Sequence, residues 1–375
     1  MRETFLCMVE SQGRMEVILY FVTHILDIAA LLYLLWMLHS STVFDIRRKK
    51  PLSAGIILTI IAILCETGTI YADNGSLFYR IINIMCNVIG FSITPIIPIV
   101  ITLIFNKGIF NERKFWLFPT VMNVIITFLS PFFGFIFYID TDNHYIRGDY
   151  YFIFVAVYII NFLILFLCTL ETGKKYNYPI IRKSIALSLF TIIGTSIQLI
   201  FPSLYSTWHC VTLSLLLYYF LLSEFDNSFD TLTGLYNRAS FEKAAKQIQD
   251  LKAFSVIVLD IDNFKNINDT FGHDYGDTII KTMADIIQKS FAKHYTCYRC
   301  GGDEFFIISN ETDQEKIEFQ LKTMISNLNE MREQGNPLPT ISYGYSIYKG
   351  KEKLDFQRIL KEADDQMYQY KKTYK

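Results

Sequence analysis

Seven long apolar segments occupy residues 1–222, and no other feature of the sequence restricts the fold as strongly. A transmembrane helix needs about 20 predominantly apolar residues to cross the hydrocarbon core of a bilayer. The mean hydropathy of +0.27 and the 51% content of hydrophobic residues are too high for one soluble globule. We therefore predict an all-α bundle of seven transmembrane helices, near residues 17–39, 53–71, 78–105, 115–138, 150–170, 185–201 and 208–222.

The loops between these segments alternate in charge. The first, third and fifth loops are basic, whereas the fourth, "IDTDNHYIRGDY" (139–150), is acidic. Because basic loops stay on the cytoplasmic side, the N-terminus is predicted to lie outside the membrane and the C-terminus in the cytoplasm. This orientation requires an odd number of spans in the lipid bilayer. The basic loop residues are Arg47, Arg48, Lys49 and Lys50, then Lys107, Arg113 and Lys114, then Lys174, Lys175, Arg182 and Lys183.

Three ionisable residues lie inside the predicted spans. His24 and Asp27 share one face of the first span, and Glu66 lies in the second, so all three are expected in the outer half of the membrane. Ionisable groups are costly in a bilayer and are candidates for function. Two interpretations remain open. The residues form either an interhelical hydrogen-bond network that holds the bundle together, or a sensor pocket for an unknown extracellular or intramembrane ligand.

The composition changes abruptly after Leu222. Residues 223–238 are interpreted as a short signalling linker, and residues 226–375 as one cytosolic domain of mixed, charged composition. In this domain apolar strands and amphipathic helices follow the order helix, β, α, β, β, α, β, α. That order predicts an α/β (α+β) domain of the ferredoxin-like palm type, in which a central antiparallel sheet is flanked by helices.

Acidic residues follow two predicted strands of the domain. "LDID" places Asp260 and Asp262 on one face at the end of the first strand, and Gly301-Gly302 precede Asp303 and Glu304 in a hairpin. Paired glycines favour a tight turn because glycine adopts positive φ freely. The first strand lies beside this hairpin in a ferredoxin-like sheet, so the acids can meet. Clustered carboxylates repel one another unless a cation neutralises them, and oxygen ligands select Mg²⁺ or Mn²⁺. Two such ions can serve phosphoryl transfer.

Residues 230–371 resemble the catalytic domain of the GGDEF family of bacterial diguanylate cyclases. The resembling stretches are "DTLTGLYNR" (230–238), "LDIDNFKNINDTFGHDYGD" (259–277), "RCGGDEF" (299–305), "ISYGYS" (341–346) and "ADDQMYQYKK" (363–372). The resemblance implies an enzyme that condenses two GTP into cyclic di-GMP and two pyrophosphates within a homodimer. Each 3′-hydroxyl would attack the α-phosphate of the other GTP. The alternative is a degenerate domain that binds a nucleotide and signals without catalysis.

The resemblance also implies the metal and catalytic residues. Asp260, the backbone carbonyl of Ile261, Asp303 and Glu304 would hold two Mg²⁺ or Mn²⁺ ions in each active site. Asp303 or Glu304 would help to deprotonate the 3′-hydroxyl. Lys265 would neutralise the charge that develops on the phosphate in the transition state.

Four further residues would bind the substrate if the resemblance holds. Asn268 and Asp277 would contact the guanine edge, and Asp277 would accept hydrogen bonds from the ring N–H and the amino group. Adenine lacks this pair of donors, so GTP is expected and ATP is not. His273 would lie near the substrate, or would bond backbone in a loop. Lys371 would reach the triphosphate, or would be a solvated lysine.

Two stretches depart from the family pattern. The Arg-x-x-Asp of product-inhibited members is replaced by "AKHY" (292–295), so that inhibitory site is expected to be absent. A Gly-Arg-Asn stretch that often follows the last helix is not seen before Lys375, which either replaces its basic contact or leaves nucleotide binding weaker.

Other functions are less well supported by the sequence. A net charge of −1 provides no general attraction for nucleic acid. Cys297 and Cys300 have CxxC spacing, but on a strand they point to opposite faces, so a shared zinc ion is not expected. A transporter is not favoured either, because no repeat of broken helices is visible.

Overall fold

A computed structural model of the chain describes residues 2–42, 44, 46–73, 76–105, 109–175, 181–201, 206–248, 253–291, 294–350 and 355–373. The chain divides into two compact units, Met1–Ser223 and Glu224–Lys375.

The described part of the first unit is almost entirely helical. Short 3-10 turns, Leu77–Tyr79 and Lys114–Leu117, lead into its third and sixth helices. The helices are α1 (Arg2–Ser40), α2 (Ile46–Asp73), α3 (Arg80–Ile93), α4 (Ile96–Thr102), α5 (Ile109–Glu112), α6 (Phe118–Phe133), α7 (Tyr151–Lys175), α8 (Ile181–Ile200) and α9 (Thr207–Asp226).

Within the described residues, six helical segments are long and apolar enough to cross a membrane, which is consistent with a membrane protein. Helix α8 covers the sixth predicted span but is not one of these six, so the predicted count of seven is not confirmed. The six segments are Leu19–Ser40, Arg48–Asp73, Leu77–Thr102, Lys114–Phe133, Tyr151–Lys174 and Thr207–Asp226.

The fourth span is shorter than predicted. The sequence pattern extends it to residue 138, but α6 ends at Phe133, where Gly134 adopts a φ of 70°. A left-handed glycine is a common end for a helix. The chain then forms the antiparallel strands β1 (Phe137–Ile139) and β2 (Tyr145–Arg147). Strand β1 begins with two aromatic residues, so its apolar character was interpreted as part of the span.

The second unit contains a five-stranded sheet with the order β3-β5-β6-β4-β7. Strands β3 and β5 are parallel, and all other neighbours are antiparallel. The strands are β3 (Tyr236–Asn237), β4 (Phe254–Ile261), β5 (Tyr295–Arg299), β6 (Glu304–Ser309) and β7 (Ile341–Tyr348). The helices are α10 (Arg238–Gln247), α11 (Phe264–Phe271), α12 (His273–Ser290), α13 (Gln314–Glu333) and α14 (Phe356–Thr373). The predicted sheet flanked by helices is confirmed; β3 and the division between α11 and α12 are additions.

Strand β4 lies in the middle of the core, bonded to β6 on one side and β7 on the other. Successive side chains of a strand point to opposite faces. Ile257 and Leu259 join the cluster that contains residues of α12 and α13. Phe254 and Val256 join the cluster with residues of α10 and α14. Because both faces of the sheet are covered, the strand is apolar at every position from Val256 to Leu259. The sequence of this strand therefore shows no alternation of apolar and polar residues.

Helix α14 packs closely on β7 at Gly344. A Cβ atom at this glycine would overlap the carbonyl oxygen of Ala363 and the backbone nitrogen of Met367. Only glycine therefore permits this approach. The contact fixes the height of α14 above the sheet, and with it the position of Lys371 near the helix end.

Candidate active site

The end of β4 and the start of β6 bring three acidic residues together. The strand register pairs Asp260 with Glu304, and the backbone N–H of Ile261 donates to the carbonyl oxygen of Asp303 at 3.2 Å. This adjacency of the two acid-bearing segments agrees with the sequence expectation. Asp260, Asp303 and Glu304 are called the acid cluster below.

The acid cluster is electrostatically strained. Partial burial, followed by the charge of Asp260, raises the pKa of Asp303. Burial, followed by the charges of Asp303 and Asp260, raises the pKa of Glu304. A cation placed among these carboxylates would relieve the repulsion, and an all-oxygen donor set suits Mg²⁺ or Mn²⁺. No group of three or more His, Cys, Asp or Glu side chains in the described residues is already arranged around a metal position.

Lys371 supplies a positive charge to the acid cluster. Its Nζ contacts Oδ1 of Asp260 across 111 residues of sequence. Burial lowers the pKa of this lysine, but the bond to Asp260 and the charge of that carboxylate outweigh burial, so the pKa lies above its ordinary value. Lys371 is therefore an ordered, charged residue of the site. The interpretation as a solvated lysine does not fit.

Asp262 does not belong to the acid cluster, although the sequence places it with Asp260. It is only 8% exposed, and its two oxygens accept from Thr340 Oγ1 at 2.6 Å and from Ser342 Oγ at 2.7 Å. The strand ends at Ile261, and Asn263 turns the chain with a φ of 56°. The two-residue alternation therefore stops before Asp262, which instead fastens the end of β4 to β7.

The two glycines of the hairpin do not adopt the conformation that motivated their prediction. Positive φ among the described glycines occurs elsewhere, and neither Gly301 nor Gly302 has it. At Gly301 a Cβ would lie 2.7 Å from Oε2 of Glu304, whereas at Gly302 it would meet nothing within 4 Å. A side chain at Gly301 would therefore require the exposed side chain of Glu304 to move. Gly302 leaves its backbone open to an approaching molecule.

The predicted guanine-binding residues lie on α11 and α12. Asn268 is half-buried, and its Oδ1 has no hydrogen-bond partner in the described structure. That oxygen lies where a side chain on Gly276 would be, so Asn268 is beside the residue that precedes Asp277. Asp277 is exposed. This leaves an acceptor and a carboxylate available to a ligand near the start of α12.

Lys265 and His273 lie near the N-terminal ends of two neighbouring helices. Lys265 lies in the first turn of α11 and His273 is the first residue of α12, and both are exposed. Their predicted roles toward phosphate and substrate remain predictions.

Arg299 is a residue of the site that sequence reasoning missed. Its Nη1 donates to Oδ1 of Asp230 at 3.0 Å, and its Nη2 donates to the carbonyl oxygen of Gly302 at 3.0 Å. Asp230 also accepts from the backbone N–H and the hydroxyl of Thr233. The stretch "DTLTG" is thereby tied to the turn that carries Asp303. The available signal was an arginine two residues before the paired glycines.

Removal of this tie is expected to loosen the hairpin. Burial raises the pKa of Asp230, but hydrogen bonds from Thr233 and Arg299 outweigh it, so the pKa lies below its ordinary value. Arg299→Gln should lower stability by about 1–3 kcal/mol, the range for hydrogen bonds to a charged group. Because the pKa of Asp230 is lowered, the wild type should exceed the variant in free energy of unfolding by the full amount above about pH 4. This difference should shrink as pH falls through the lowered pKa.

Hydrogen exchange of the peptides spanning 230–237 and 295–305 in the full-length protein would measure this loss. Arg238→Gln is the matched control, because Arg238 forms an exposed pair with Glu242 that contributes little. Equal exchange in both variants would show that Arg299 does not hold the turn.

The two cysteines near the hairpin lie on opposite faces, as predicted. Cys297 packs in the cluster with α12 and α13, and Cys300 packs against the cluster with α10 and α14. Burial raises the pKa of each thiol to about 12. Both are free cysteines, and this geometry does not allow them to share a zinc ion.

The predicted sensor residues divide into two groups, both next to α9. His24 Nδ1 lies 2.9 Å from Thr67 Oγ1, and Asp27 forms an ion pair of 2.7 Å with His209 Nδ1. Glu66 accepts from Trp208 Nε1. The interhelical network is therefore present.

The pocket interpretation applies to Glu66 alone among the three residues. A cavity of about 390 Å³ is lined by Glu66 and Trp208, but by neither His24 nor Asp27. Sequence reasoning missed Trp208 and His209, since helix contacts between distant spans leave no local pattern.

Some sequence expectations lie outside the described residues. Residues 292 and 293 of the "AKHY" window and Lys375 are among them.

The family model that matches this chain covers the second unit. Residues 227–375 match the family model described as "Diguanylate cyclase, GGDEF domain". The uncharacterized protein YtrP of Bacillus subtilis (strain 168) is 32% identical over 147 residues, covering 39% of this chain and 25% of that protein. Diguanylate cyclase DgcM of Escherichia coli (strain K12) is 30% identical over 147 residues, covering 38% of this chain and 35% of that protein.

Among solved structures, the coiled coil and GGDEF domain of DgcB from Caulobacter crescentus in complex with c-di-GMP is 26% identical. Its TM-score is 0.39, with 44% of this chain and 90% of that chain covered. The chain spans only a quarter to about a third of the two relatives that it matches. The family match agrees with the resemblance for residues 227–375 and does not extend to the apolar helices.

Proposed function

We propose that the chain is a membrane-bound diguanylate cyclase that condenses two GTP into cyclic di-GMP and two pyrophosphates. The observation that carries this proposal is the acid cluster, set between β4 and β6 within a domain that matches the GGDEF family. A degenerate domain would have no need to hold Asp260, Asp303 and Glu304 together against their repulsion.

The acid cluster would hold the metal ions. Asp260, the carbonyl of Ile261, Asp303 and Glu304 are the proposed ligands for two Mg²⁺ or Mn²⁺ ions per site. When bound, such ions polarise the α-phosphate and stabilise the charge on the attacking and leaving oxygens.

The protein groups supply proton transfer and charge. Asp303 or Glu304 would accept the proton of the 3′-hydroxyl as a general base. Lys265 and Lys371 would neutralise the phosphates.

The substrate would be selected by its base. Asn268 would bond the guanine edge, and Asp277 would accept from its ring N–H and amino group. The unpartnered Oδ1 of Asn268 supports this assignment. His273 would lie near the bound nucleotide.

The reaction requires two domains that face each other, because one domain holds one GTP and the product joins two. We therefore propose a homodimer with two-fold symmetry. The helical unit would lie in the bacterial plasma membrane with its N-terminus outside, and would gate the cytoplasmic domains as a sensor.

Full-length protein in lipid nanodiscs, incubated with GTP and Mg²⁺, tests the proposal. Chromatography should detect cyclic di-GMP and two pyrophosphates per product, and ATP should give no cyclic product. Binding of GTP without turnover, at protein concentrations that form dimers, would instead support the degenerate nucleotide-binding domain.

Cyclic di-GMP is expected not to lower kcat, because the Arg-x-x-Asp pair is replaced at residues 292–295. Product can still compete with GTP at the active site, which raises KM alone. Initial rates at saturating GTP, with and without added cyclic di-GMP, measure the difference. A fall in kcat would contradict the expectation and indicate a separate inhibitory site.

A further inference from the structure

The cavity beside Glu66 contains two opposite charges. It lies in the helical unit between α2, α3, α7, α8, α9 and the β1–β2 hairpin, with a volume of about 390 Å³. Volumes of roughly 300–1,000 Å³ are usual for small-molecule sites. Glu66 and Arg147 both line it. Neither forms an ion pair with another residue in the part of the chain that the structure describes.

Glu66 keeps the capacity to bind a positive group. One of its oxygens accepts from Trp208 Nε1, and the other lies 3.4 Å from Gln198 Nε2. An ionised carboxylate offers about four acceptor positions, so about half of them remain available. Glu66 is half-buried, and a partly desolvated carboxylate without a positive partner is costly, so a cationic ligand would reduce that cost.

Arg147 offers the complementary charge at the cavity rim. It is exposed at the end of β2, and its guanidinium carbon lies 4.8 Å from the ring centroid of Tyr151. This cation–π contact and a hydrogen bond to the Tyr145 side chain hold the guanidinium in place, and its five N–H groups leave others available. A carboxylate that approached the rim would be bound by two parallel hydrogen bonds.

Aromatic rings line the same cavity as these two charges. Phe91, Tyr145, Tyr151, Phe154 and Trp208 all line the cavity. Phe91 stacks on Tyr145 at 6.2 Å and meets the edge of Phe154 at 4.9 Å between ring centroids. Because the rings pack on one another, the wall is preformed and suits a flat apolar body.

We propose that this cavity binds a small zwitterion with an aromatic or apolar body. Its ammonium contacts Glu66, its carboxylate contacts Arg147, and its body packs against the rings. A simple cation would meet the unfavourable charge of Arg147, and a simple anion would meet Glu66. The net charge of the lining is zero, which matches a ligand that carries both signs.

Trp208 reports on occupancy. The chain has three tryptophans, and Trp36→Phe with Trp116→Phe leaves Trp208 alone. Full-length protein in nanodiscs is titrated with L-phenylalanine, 2-phenylethylamine and 3-phenylpropionate, which share a ring but are zwitterion, cation and anion. The fluorescence is excited at a wavelength that phenylalanine does not absorb. L-phenylalanine is expected to bind about 10- to 100-fold more tightly than either analogue, since each charge adds one charge-assisted contact.

Two variants assign the charges. In Glu66→Gln, L-phenylalanine should bind no more tightly than 3-phenylpropionate, which lacks the ammonium. In Arg147→Gln, it should bind no more tightly than 2-phenylethylamine, which lacks the carboxylate. Arg147 is exposed, so its variant tests the proposal even if Glu66→Gln does not fold, as judged by size-exclusion chromatography. Glu171→Gln and Arg113→Gln are the matched controls, because this exposed pair, 3.8 Å apart, does not line the cavity.

The proposal is overturned if none of the three probes gives a saturable signal, or if 2-phenylethylamine binds as tightly as L-phenylalanine. It is also overturned if Arg147→Gln leaves all three affinities unchanged. The titration contains no GTP, so its failure would leave the proposed cyclase activity intact, and an inactive cyclase would leave this binding site intact.

Discussion

Asp303→Asn is expected to lower the rate of cyclic di-GMP synthesis about 1,000-fold, within the usual range for loss of an acid–base group. The amide has nearly the same shape as the carboxylate, but it accepts no proton and is a poor ligand for Mg²⁺. The substitution also removes one of the charges that raise the pKa of Glu304. Folding should therefore be preserved while turnover is lost.

The measurement is the initial rate with GTP and Mg²⁺ in nanodiscs, together with the affinity for GTP. Asp285→Asn on α12 is the matched control, since Asp285 is exposed and lies outside the acid cluster. Its rate should equal that of the wild type. Wild-type turnover in Asp303→Asn would remove Asp303 from the proposed mechanism.

Phe305→Ala is expected to destabilise the second unit by about 3–5 kcal/mol, the usual cost of removing a buried phenylalanine. Phe305 is 0% exposed and directly follows the two acids of the hairpin. Its strand neighbours are Leu259 and Arg299, so the ring anchors β6 against both β4 and β5. Its loss would leave a cavity beneath the acid cluster.

Hydrogen exchange of peptides from β4 and β6 in the full-length protein measures this effect. Exchange through global opening of the domain should accelerate about 100- to 5,000-fold. Phe319→Ala on α13 is the control, because Phe319 is 66% exposed and should change the rate little. Similar rates in the two variants would mean that the hairpin does not depend on this anchor.

The strands that position the site were predictable because each is an apolar run bounded by turn residues. The pairing of β4 with the hairpin followed from the order of elements, and it placed Asp260 opposite Glu304. Strand β3 is only two residues long and carries no periodic signal. Its existence depends on pairing with β5, which local sequence does not encode.

Errors at the site arose where the backbone departs from regular geometry. Asp262 was grouped with Asp260 because alternation was extended past Ile261, but the left-handed Asn263 ends the strand there. Gly301 and Gly302 lie in the predicted turn, but neither adopts the positive φ expected there, and a Cβ at Gly301 would approach Glu304. For Asp262 and Gly301, the surroundings in the folded domain determine the role of the residue. The local sequence pattern does not show these surroundings.

The contact between Lys371 and Asp260 means that the domain carries its own counter-ion. A metal ion at Asp260 would compete with the ammonium for this carboxylate, and an ammonium released in this way could contact the triphosphate. Metal binding at Asp260 and phosphate binding at Lys371 would then be thermodynamically coupled. Each ligand raises the affinity for the other by the same factor, as thermodynamic linkage requires.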